Sequence, residues 1–287
     1  MQDGTLSKGL RTFAALTAAM VVVLILAGGL VTTTETGDTI PTWPHWRGKL
    51  QGGMWVEMSH RWLGGLVGLM ALGLALLVTV RDRRPAVRGL AWASFAGVTV
   101  QGLLGALRVF FSEAGPSQAV TAVIHAVFAQ LVFCGFIATA LSFSRAWTAV
   151  RPLPEAAGVG AAATVAAFLQ LVVGAVARHT GVGLEVHVAG GVLVLVLAAV
   201  FISRLLLTPM HKAGVMLAAI LVGQVLLGIL TWALTRTEGF SRSTSAPAGT
   251  LVLVSAHVAL GAGLLAGLLV TTLLCARRAP RLEASLA

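Results

Sequence analysis

Long apolar stretches alternate with short polar segments along the whole chain. Eight stretches are each long enough to cross about 30 Å of hydrocarbon as a helix. They lie near residues 12–31, 55–80, 89–109, 118–141, 156–177, 183–207, 213–234 and 249–275. Strands of a membrane barrel would instead be about ten residues long with alternating polarity. The pattern therefore predicts an all-α polytopic membrane protein with eight transmembrane helices.

The charged residues fit this class of protein and orient it in the bilayer. Of the 287 residues, 57% are hydrophobic and only 10% are charged, which is too little charge to cover a water-soluble domain. The formal net charge of +10 therefore indicates basic loops on one membrane face rather than binding of nucleic acid. Because most basic residues fall on the side of the two termini, we expect both termini in the cytoplasm.

A short motif, Gln-x-x-x-Gly, recurs in the third, fifth and seventh stretches. Each copy is followed by an arginine near the outer helix end and then by a stretch containing a histidine. The copies are Gln101 to Gly105 with Arg108, Gln170 to Gly174 with Arg178, and Gln224 to Gly228 with Arg236. The first stretch has Gly28 and Gly29 but no such glutamine. Either the small residues allow close helix packing, or they open a slot for a flat ligand.

The repeat also predicts how the chain is divided. A unit of four helices returns the chain to its starting side, so the two units would be related by an axis along the membrane normal. We expect two pseudo-symmetric parallel four-helix bundles, residues 1–144 and 145–287. The break falls in the basic, proline-containing stretch 142–157.

Four histidines lie in apolar stretches that are otherwise nearly free of charge. They are His60, His125, His187 and His257, one on each even-numbered helix, and all lie near the outer leaflet. Ionisable side chains inside a bilayer are costly and usually mark a site. Two facing imidazoles can hold a haem iron from both sides. Since zinc sites usually add Cys, Asp or Glu, we predict two bis-histidine sites, one in each half.

One acidic residue distinguishes the two halves. Glu57 precedes His60 by three residues and so lies on the same helix face. Glu185 precedes His187 by two residues and points elsewhere. A carboxylate beside an iron ligand suits proton transfer, although capping of the helix or pairing with Arg61 would also explain it. We therefore expect chemistry in the first half and electron relay in the second.

The remaining candidate ligands have ordinary explanations. His45, His179 and His211 fall in loops or at helix ends, where we expect solvated side chains. The two cysteines, Cys134 and Cys275, lie in apolar segments and have no neighbour at metal-binding or redox spacing. The outer arginines could anchor the protein at the interface or pair with haem propionates, because the planar guanidinium suits carboxylates.

With these features the chain resembles the haem A synthase family. The resemblance covers nearly the whole chain, and its most specific part is Glu57-x-x-His60-Arg61. The preceding outer loop, Pro41-Thr42-Trp43-Pro44, is similar to the Pro-Asp-Trp-Pro loop of the family, with Thr42 in place of Asp. One departure is that no outer loop contains cysteine, whereas many members carry a cysteine pair in the first outer loop.

The resemblance implies an activity and a set of ligands. A haem A synthase oxidises the C8 methyl group of haem O to a formyl group by successive hydroxylations. By this resemblance His60 and His125 flank the substrate haem O, Glu57 assists catalysis, and His187 and His257 bind a cofactor haem b. The enzyme would lie in the cell (inner) membrane with its haem sites toward the outer face. Its partners would include the lipid bilayer, a haem O synthase, an electron donor that the sequence does not identify, and a second copy of the chain.

Two other functions fit part of the sequence. A di-haem electron carrier would use the same four histidines but has no evident need for Glu57. A transporter built from two parallel repeats would use the histidines for proton coupling and would bind no haem. The colour of the purified protein separates the transporter from the haem proteins.

Overall fold

The structure is all-helical over the residues that it describes. This computed structural model describes residues 8–37, 39–43, 46, 48–110, 116–237 and 248–277. Within these ranges the helices are α1 (Lys8–Thr33), α2 (Met54–Arg81), α3 (Pro85–Phe110), α4 (Pro116–Ser142), α5 (Arg145–Ala149), α6 (Pro154–Thr180), α7 (Leu184–Leu206), α8 (His211–Thr237) and α9 (Ala248–Ala276).

Eight of these helices are long and apolar enough to cross a membrane, as the sequence predicts. The fold class, an all-α multi-pass membrane protein, is therefore confirmed. The short helix α5 was not predicted and lies in the stretch expected only to separate the halves. It forms because the Ser144 side chain accepts a hydrogen bond from the Trp147 backbone N–H at 3.2 Å, which caps its first turn.

The eight long helices pack in two closed rings. In the first half, α1 to α4, each helix packs on the next and α4 closes on α1; α6 to α9, the second half, do the same. Helices α2 and α4 therefore stand at opposite corners of one ring, and α7 and α9 at opposite corners of the other. The halves meet where α1 packs against α9 and where α4 packs against α6 and α9. This arrangement agrees with a parallel repeat, whose symmetry and boundary at residue 144 stay predictions.

Small residues bring the helices close together. Ala14, Ala75, Ala163 and Ala198 are completely buried. Helices in lipid associate mainly through such close packing, because lipid tails are as apolar as the side chains they would replace. The tightest example is Gly160 of α6, where an added Cβ would lie 2.6 Å from Thr272 Oγ1 of α9 and 2.8 Å from the ring of Phe201 on α7.

Side-chain contacts fix the connections at the end of the molecule where α1 begins and α9 ends, called here the terminal face. Arg84 pairs with Asp82 at 2.6 Å, donates to the Ser142 carbonyl at 3.1 Å, and stacks on Phe143. Burial acts to raise the pKa of Asp82, but hydrogen bonds from Arg84 and the charges of Arg84 and Arg88 outweigh it and hold the pKa below its usual value. The α2–α3 turn is thereby tied to the end of α4.

At the opposite face a tight turn joins α6 to α7. Gly181 and Gly183 adopt positive φ angles of 75° and 90°, which glycine adopts without steric cost. Because only Gly181, Val182 and Gly183 separate the helices, the last turns of α6 lie directly beside the first turns of α7. Gln170 and Gly174 are thereby held next to His187.

We expect Gly160→Ala to destabilise the protein, because the added methyl group must displace Phe201 or Thr272. Such overpacking costs about 1–3 kcal/mol. The matched control is Gly158→Ala on the same helix, where nothing lies within 4 Å of the added Cβ. Thermal unfolding in detergent should show a lower midpoint for the first variant only. Equal midpoints would contradict the close packing of α6 against α7 and α9.

Candidate functional site

The four intramembrane histidines lie at one end of the molecule. His60 is on α2, His125 on α4, His187 on α7 and His257 on α9, and each lies within the first three turns of its helix. All four helices start at the face opposite the terminal face. Because α2 and α4, and likewise α7 and α9, occupy opposite corners of a ring, each half directs two imidazoles toward its interior.

Each imidazole packs against a glycine on the helix that precedes it. We call these four glycines the glycine seats. A Cβ added at the seat would lie close to Cε1 of the ring: Gly28 to His60, 3.0 Å; Gly105 to His125, 3.4 Å; Gly174 to His187, 2.8 Å; and Gly228 to His257, 3.1 Å. The glycine of the Gln-x-x-x-Gly motif therefore makes room for an imidazole. The sequence left open whether it served helix packing or a ligand slot.

The rings in each half lie near each other. The centroids of His187 and His257 are 6.3 Å apart, and the ring planes are nearly perpendicular at 84°. His60 and His125 are within electrostatic range of one another. Among the described residues no group of three or more His, Cys, Asp or Glu could hold a metal ion.

The imidazoles also carry buried nitrogen atoms that need a partner. Nδ1 of His60, His125 and His257 is buried without a hydrogen-bond partner among the described residues. A buried polar atom left unpaired costs about 1–3 kcal/mol, so such atoms usually indicate a ligand or water. Two imidazoles are a common axial ligand pair of haem iron. The paired imidazoles, each placed on a glycine seat, therefore fit a haem in each half.

Glu57 fixes the first outer loop to α2. Its side chain is only 3% exposed. Its Oε2 accepts hydrogen bonds from Thr39 Oγ1 at 2.8 Å and from the Ile40 backbone N–H at 2.9 Å, while Oε1 pairs with Arg61. Arg61 in turn donates to the backbone carbonyls of Ile40, at 3.1 Å, and Thr42. The pairing with Arg61 that the sequence left open is present, and it places the loop over the end of α2 that carries His60.

Within the described part of the second half, this arrangement has no counterpart. Glu185 lies in the first turn of α7 and is exposed. The expectation that Glu185 points away from the site is therefore confirmed, and the only buried glutamate among the described residues is Glu57.

The outer arginines have different surroundings. Arg108 lies against Gly37 of the outer loop, and its charge acts on both His60 and His125. Its Nε is buried without a partner among the described residues. Arg178 instead donates from Nη2 to the Gly29 carbonyl of α1 at 3.0 Å and to Thr33 Oγ1. The side chain of Arg236 lies outside the described residues.

The histidines expected to be solvated behave differently from one another. His211 begins α8 and is exposed, as expected. His179 is half-buried in the last turn of α6 and lies within electrostatic range of His125. This partial burial could not be predicted from sequence, because it depends on how α6 packs against α4. His45 lies outside the described residues.

The two cysteines are separate from the histidine sites. Cys275, near the terminal face, packs with its sulfur 3.9 Å from that of Met210. Both Cys134 and Cys275 are free thiols.

The fold and the site together define a multi-pass membrane protein with paired intramembrane histidines. Residues 49–188 match the COX15-CtaA family, described as cytochrome oxidase assembly protein. The chain is 31% identical over 185 residues to haem A synthase from Shouchella clausii, and 32% identical over 144 residues to haem A synthase from Alkalihalophilus pseudofirmus. The resemblance to the haem A synthase family is thereby confirmed.

The matches cover part of each protein. The alignment with the Shouchella clausii protein covers 60% of this chain and 60% of that one, and the alignment with the Alkalihalophilus pseudofirmus protein covers 47% of each. The chain is also 27% identical over 164 residues to a protohaem IX farnesyltransferase from Roseiflexus castenholzii, which covers 54% of this chain and 28% of that one. The family match at residues 49–188 includes Glu57 and three of the four histidines.

We expect Glu57→Gln to loosen the outer loop, because the substitution removes the charge that Arg61, Thr39 and Ile40 share. A hydrogen bond to a charged group contributes about 1.5–3 kcal/mol, so amide exchange at Ile40 should become roughly ten- to a hundredfold faster. Hydrogen exchange read by mass spectrometry measures this. The matched control is Glu185→Gln, which should leave exchange in this loop unchanged. Unaltered protection in Glu57→Gln would show that the carboxylate does not fix the loop.

Proposed function

We propose that this chain is a haem A synthase, a haem-dependent membrane oxidoreductase that oxidises the C8 methyl group of haem O to a formyl group. The product, haem A, serves terminal oxidases. The observation that carries the proposal is the pair of neighbouring imidazoles in each half, each on a glycine seat, in a chain that resembles haem A synthases.

The first half, residues 1–144, binds the substrate and the second half, residues 145–287, binds a cofactor haem b. In this proposal His60 and His125 hold the iron of haem O, and His187 and His257 hold the iron of haem b. The buried Glu57 and its loop lie beside His60 only, which supports placing the chemistry in the first half. When bound, haem b supplies single electrons to that chemistry.

The residues of the first half orient the substrate and control its surroundings. His60 and His125 fix the haem plane between α2 and α4, and the glycine seats keep both rings in place. The loop held by Glu57 and Arg61 lies over this end of the bundle and limits access of water. Each hydroxylation is a two-electron oxidation of the carbon that replaces a hydrogen of the methyl group by a hydroxyl group. With dioxygen as the oxidant, two electrons from the donor and two protons reduce its second oxygen atom to water. After the second, the geminal diol loses water to give the formyl group.

Glu57 has two roles in this proposal. It anchors the loop through Thr39, Ile40 and Arg61, and it accepts or returns a proton while the methyl group is oxidised. A carboxylate is a suitable proton carrier when it is held within reach of the reacting groups. Its burial three residues before His60 supports this second role.

Arg108 is the best candidate to contact a propionate of the substrate. Its guanidinium lies near both histidines of the first half and has a buried Nε that can still donate. Arg178 already donates to Gly29 and Thr33, so a propionate contact would have to use its other N–H groups. Arg236 stays a candidate by its position in the repeat alone.

The surroundings of the enzyme follow from the same proposal. It lies in the cell membrane with both termini cytoplasmic and its haem sites toward the outer face. Haem O comes from a farnesyltransferase that acts as a haem O synthase. This partnership is supported by the similarity of this chain to part of a longer protein named protohaem IX farnesyltransferase. The proposal requires an electron donor and is compatible with a homo-oligomer.

The decisive experiment expresses the protein in cells that make haem O but not haem A, followed by haem extraction and chromatography. We expect haem A to appear only when the protein is present. Bound haem b without haem A would favour the di-haem carrier, and absence of all haem would favour a transporter that uses histidines for proton coupling.

In the same cells we expect Glu57→Gln to keep its bound haem b but to form haem A at a rate lower by roughly 10²–10⁴, the usual contribution of proton transfer. Thr39→Val is the matched variant, because it removes one hydrogen bond to the carboxylate but keeps the carboxylate itself. Thr39→Val should retain most of the activity. Full activity in Glu57→Gln would defeat the catalytic role, and equal losses in both variants would reduce Glu57 to a loop anchor.

We expect His187→Leu and His257→Leu each to abolish the absorption spectrum of stably bound haem b, because each removes one of two iron ligands. The control is His211→Leu, which changes an exposed residue at the start of α8. Absorption spectra of the purified proteins measure the result. An unchanged spectrum in either of the first two variants would rule out that residue as a ligand of the cofactor.

A further inference from the structure

Glutamine side chains reach from one helix to the histidine of the next in three of the four glycine seats. Gln101 Nε2 donates to the His125 carbonyl at 2.9 Å. Gln170 Nε2 donates to the His187 carbonyl and lies 2.9 Å from His187 Nδ1. Gln224 Nε2 lies 3.4 Å from His257 Nε2. The glutamine and glycine of each motif therefore contact the same histidine.

Small residues on the histidine helices make room for two of these glutamines. A Cβ added at Gly190 would lie 2.2 Å from Gln170 Oε1, and one added at Gly261 would lie 3.1 Å from Gln224 Nε2. The side chain of Gln170 therefore lies directly against Gly190 of α7, where any larger residue would displace it.

Gln170 has the closest contact with a histidine ring. In the present arrangement its amide N–H faces Nδ1, which then accepts, so the ring proton lies on Nε2. A histidine that binds a metal through Nε2 carries the proton on Nδ1 and usually donates it to an oxygen. Rotation of the Gln170 amide by half a turn brings Oε1 toward Nδ1, where it can accept that proton, but the rotation breaks the hydrogen bond that Nε2 donates to the His187 carbonyl, and Oε1 must then move away from that carbonyl oxygen. One side chain can therefore hold either tautomer of His187.

We propose that Gln170 is a positioning residue of the cofactor site, which holds the His187 ring and sets its tautomer and basicity. This inference rests on the proposed function, since it takes His187 as a haem ligand. When Gln170 Oε1 accepts a hydrogen bond from Nδ1–H of His187, the imidazole becomes a stronger electron donor to iron and so favours the ferric state. Gln170 thereby lowers the reduction potential of the haem and strengthens its binding.

The first half lacks this ring contact at His60. The position four residues before Gly28 is Leu24, whose apolar side chain offers the His60 ring no hydrogen bond, so only the Leu24 backbone can interact with that ring. A side-chain amide can turn, whereas a backbone carbonyl can only accept. In the first half Gln101 contacts only the carbonyl of His125, so among the described residues it is in the second half that a glutamine side chain contacts the ring of a ligand histidine.

The test compares Gln170→Leu and Gln170→Glu in the full-length protein purified with its haem. Gln170→Leu removes the amide, so haem b should dissociate roughly 10–100-fold more readily and its midpoint potential should rise. Gln170→Glu keeps an acceptor oxygen but loses the N–H that donates to the His187 carbonyl. It should retain haem and show a potential at or below that of the unaltered protein.

Gln130→Leu is the control, because it also removes a buried intramembrane amide and lies five residues beyond His125 on α4. It should leave the potential of haem b unchanged. If Gln170→Leu retains haem at the original potential, the inference fails and the proposed function stands. If Gln170→Glu loses haem as readily as Gln170→Leu, the amide only packs the helices through its N–H, and the inference also fails. An unaltered protein without haem would overturn both.

Discussion

The structure depends on one steric condition, the close approach of a histidine ring to a neighbouring helix backbone inside the membrane. An imidazole is polar, so hydrocarbon surroundings require that it face the protein interior and find partners there. A ring between two packed helices has space only where the facing residue lacks a side chain. Gly28, Gly105, Gly174 and Gly228 meet this condition. Because seat and ring lie on consecutive helices, the pairing of helices along the chain determines where all four imidazoles lie.

The two halves share the arrangement of histidine rings on glycine seats, but different polar groups surround the rings in each half. In the first half, the outer loop, Glu57 and Arg61 form a buried network that ends next to His60. In the second half the matching glutamate is exposed, and Gln170 contacts the ring of His187 instead. A carboxylate network suits proton movement, whereas a neutral amide stabilises one ligand geometry. The difference supports the proposal that the first half carries the chemistry and the second half relays electrons.

The long helices could be predicted from the sequence, and each feature that was missed has a physical cause. Hydropathy predicted the eight long helices because lipid leaves the backbone few alternatives to a helix. The five-residue helix α5 was missed, since a single turn capped by Ser144 has no apolar periodicity. The partners of Glu57 and the half-buried position of His179 were not predictable, because they depend on a loop conformation and on packing between halves. The role of the glycine seats could have been inferred from the sequence, because in three of the helices the glycine follows a glutamine by four residues.

The contacts of Arg178 make the two halves dependent on each other. This arginine belongs to α6, yet it donates to Gly29 and Thr33 of α1, and Thr33 Oγ1 lies 3.2 Å from Ser255 Oγ of α9. Gly29 is the neighbour of Gly28, the seat of His60. A buried cation cannot leave such acceptors without a large cost, because hydrocarbon offers it no replacement. The position of the His60 seat is therefore set partly by the second half. Residues 1–144 have their own ring of four helices, but the geometry of their histidine site is completed by residues beyond that boundary.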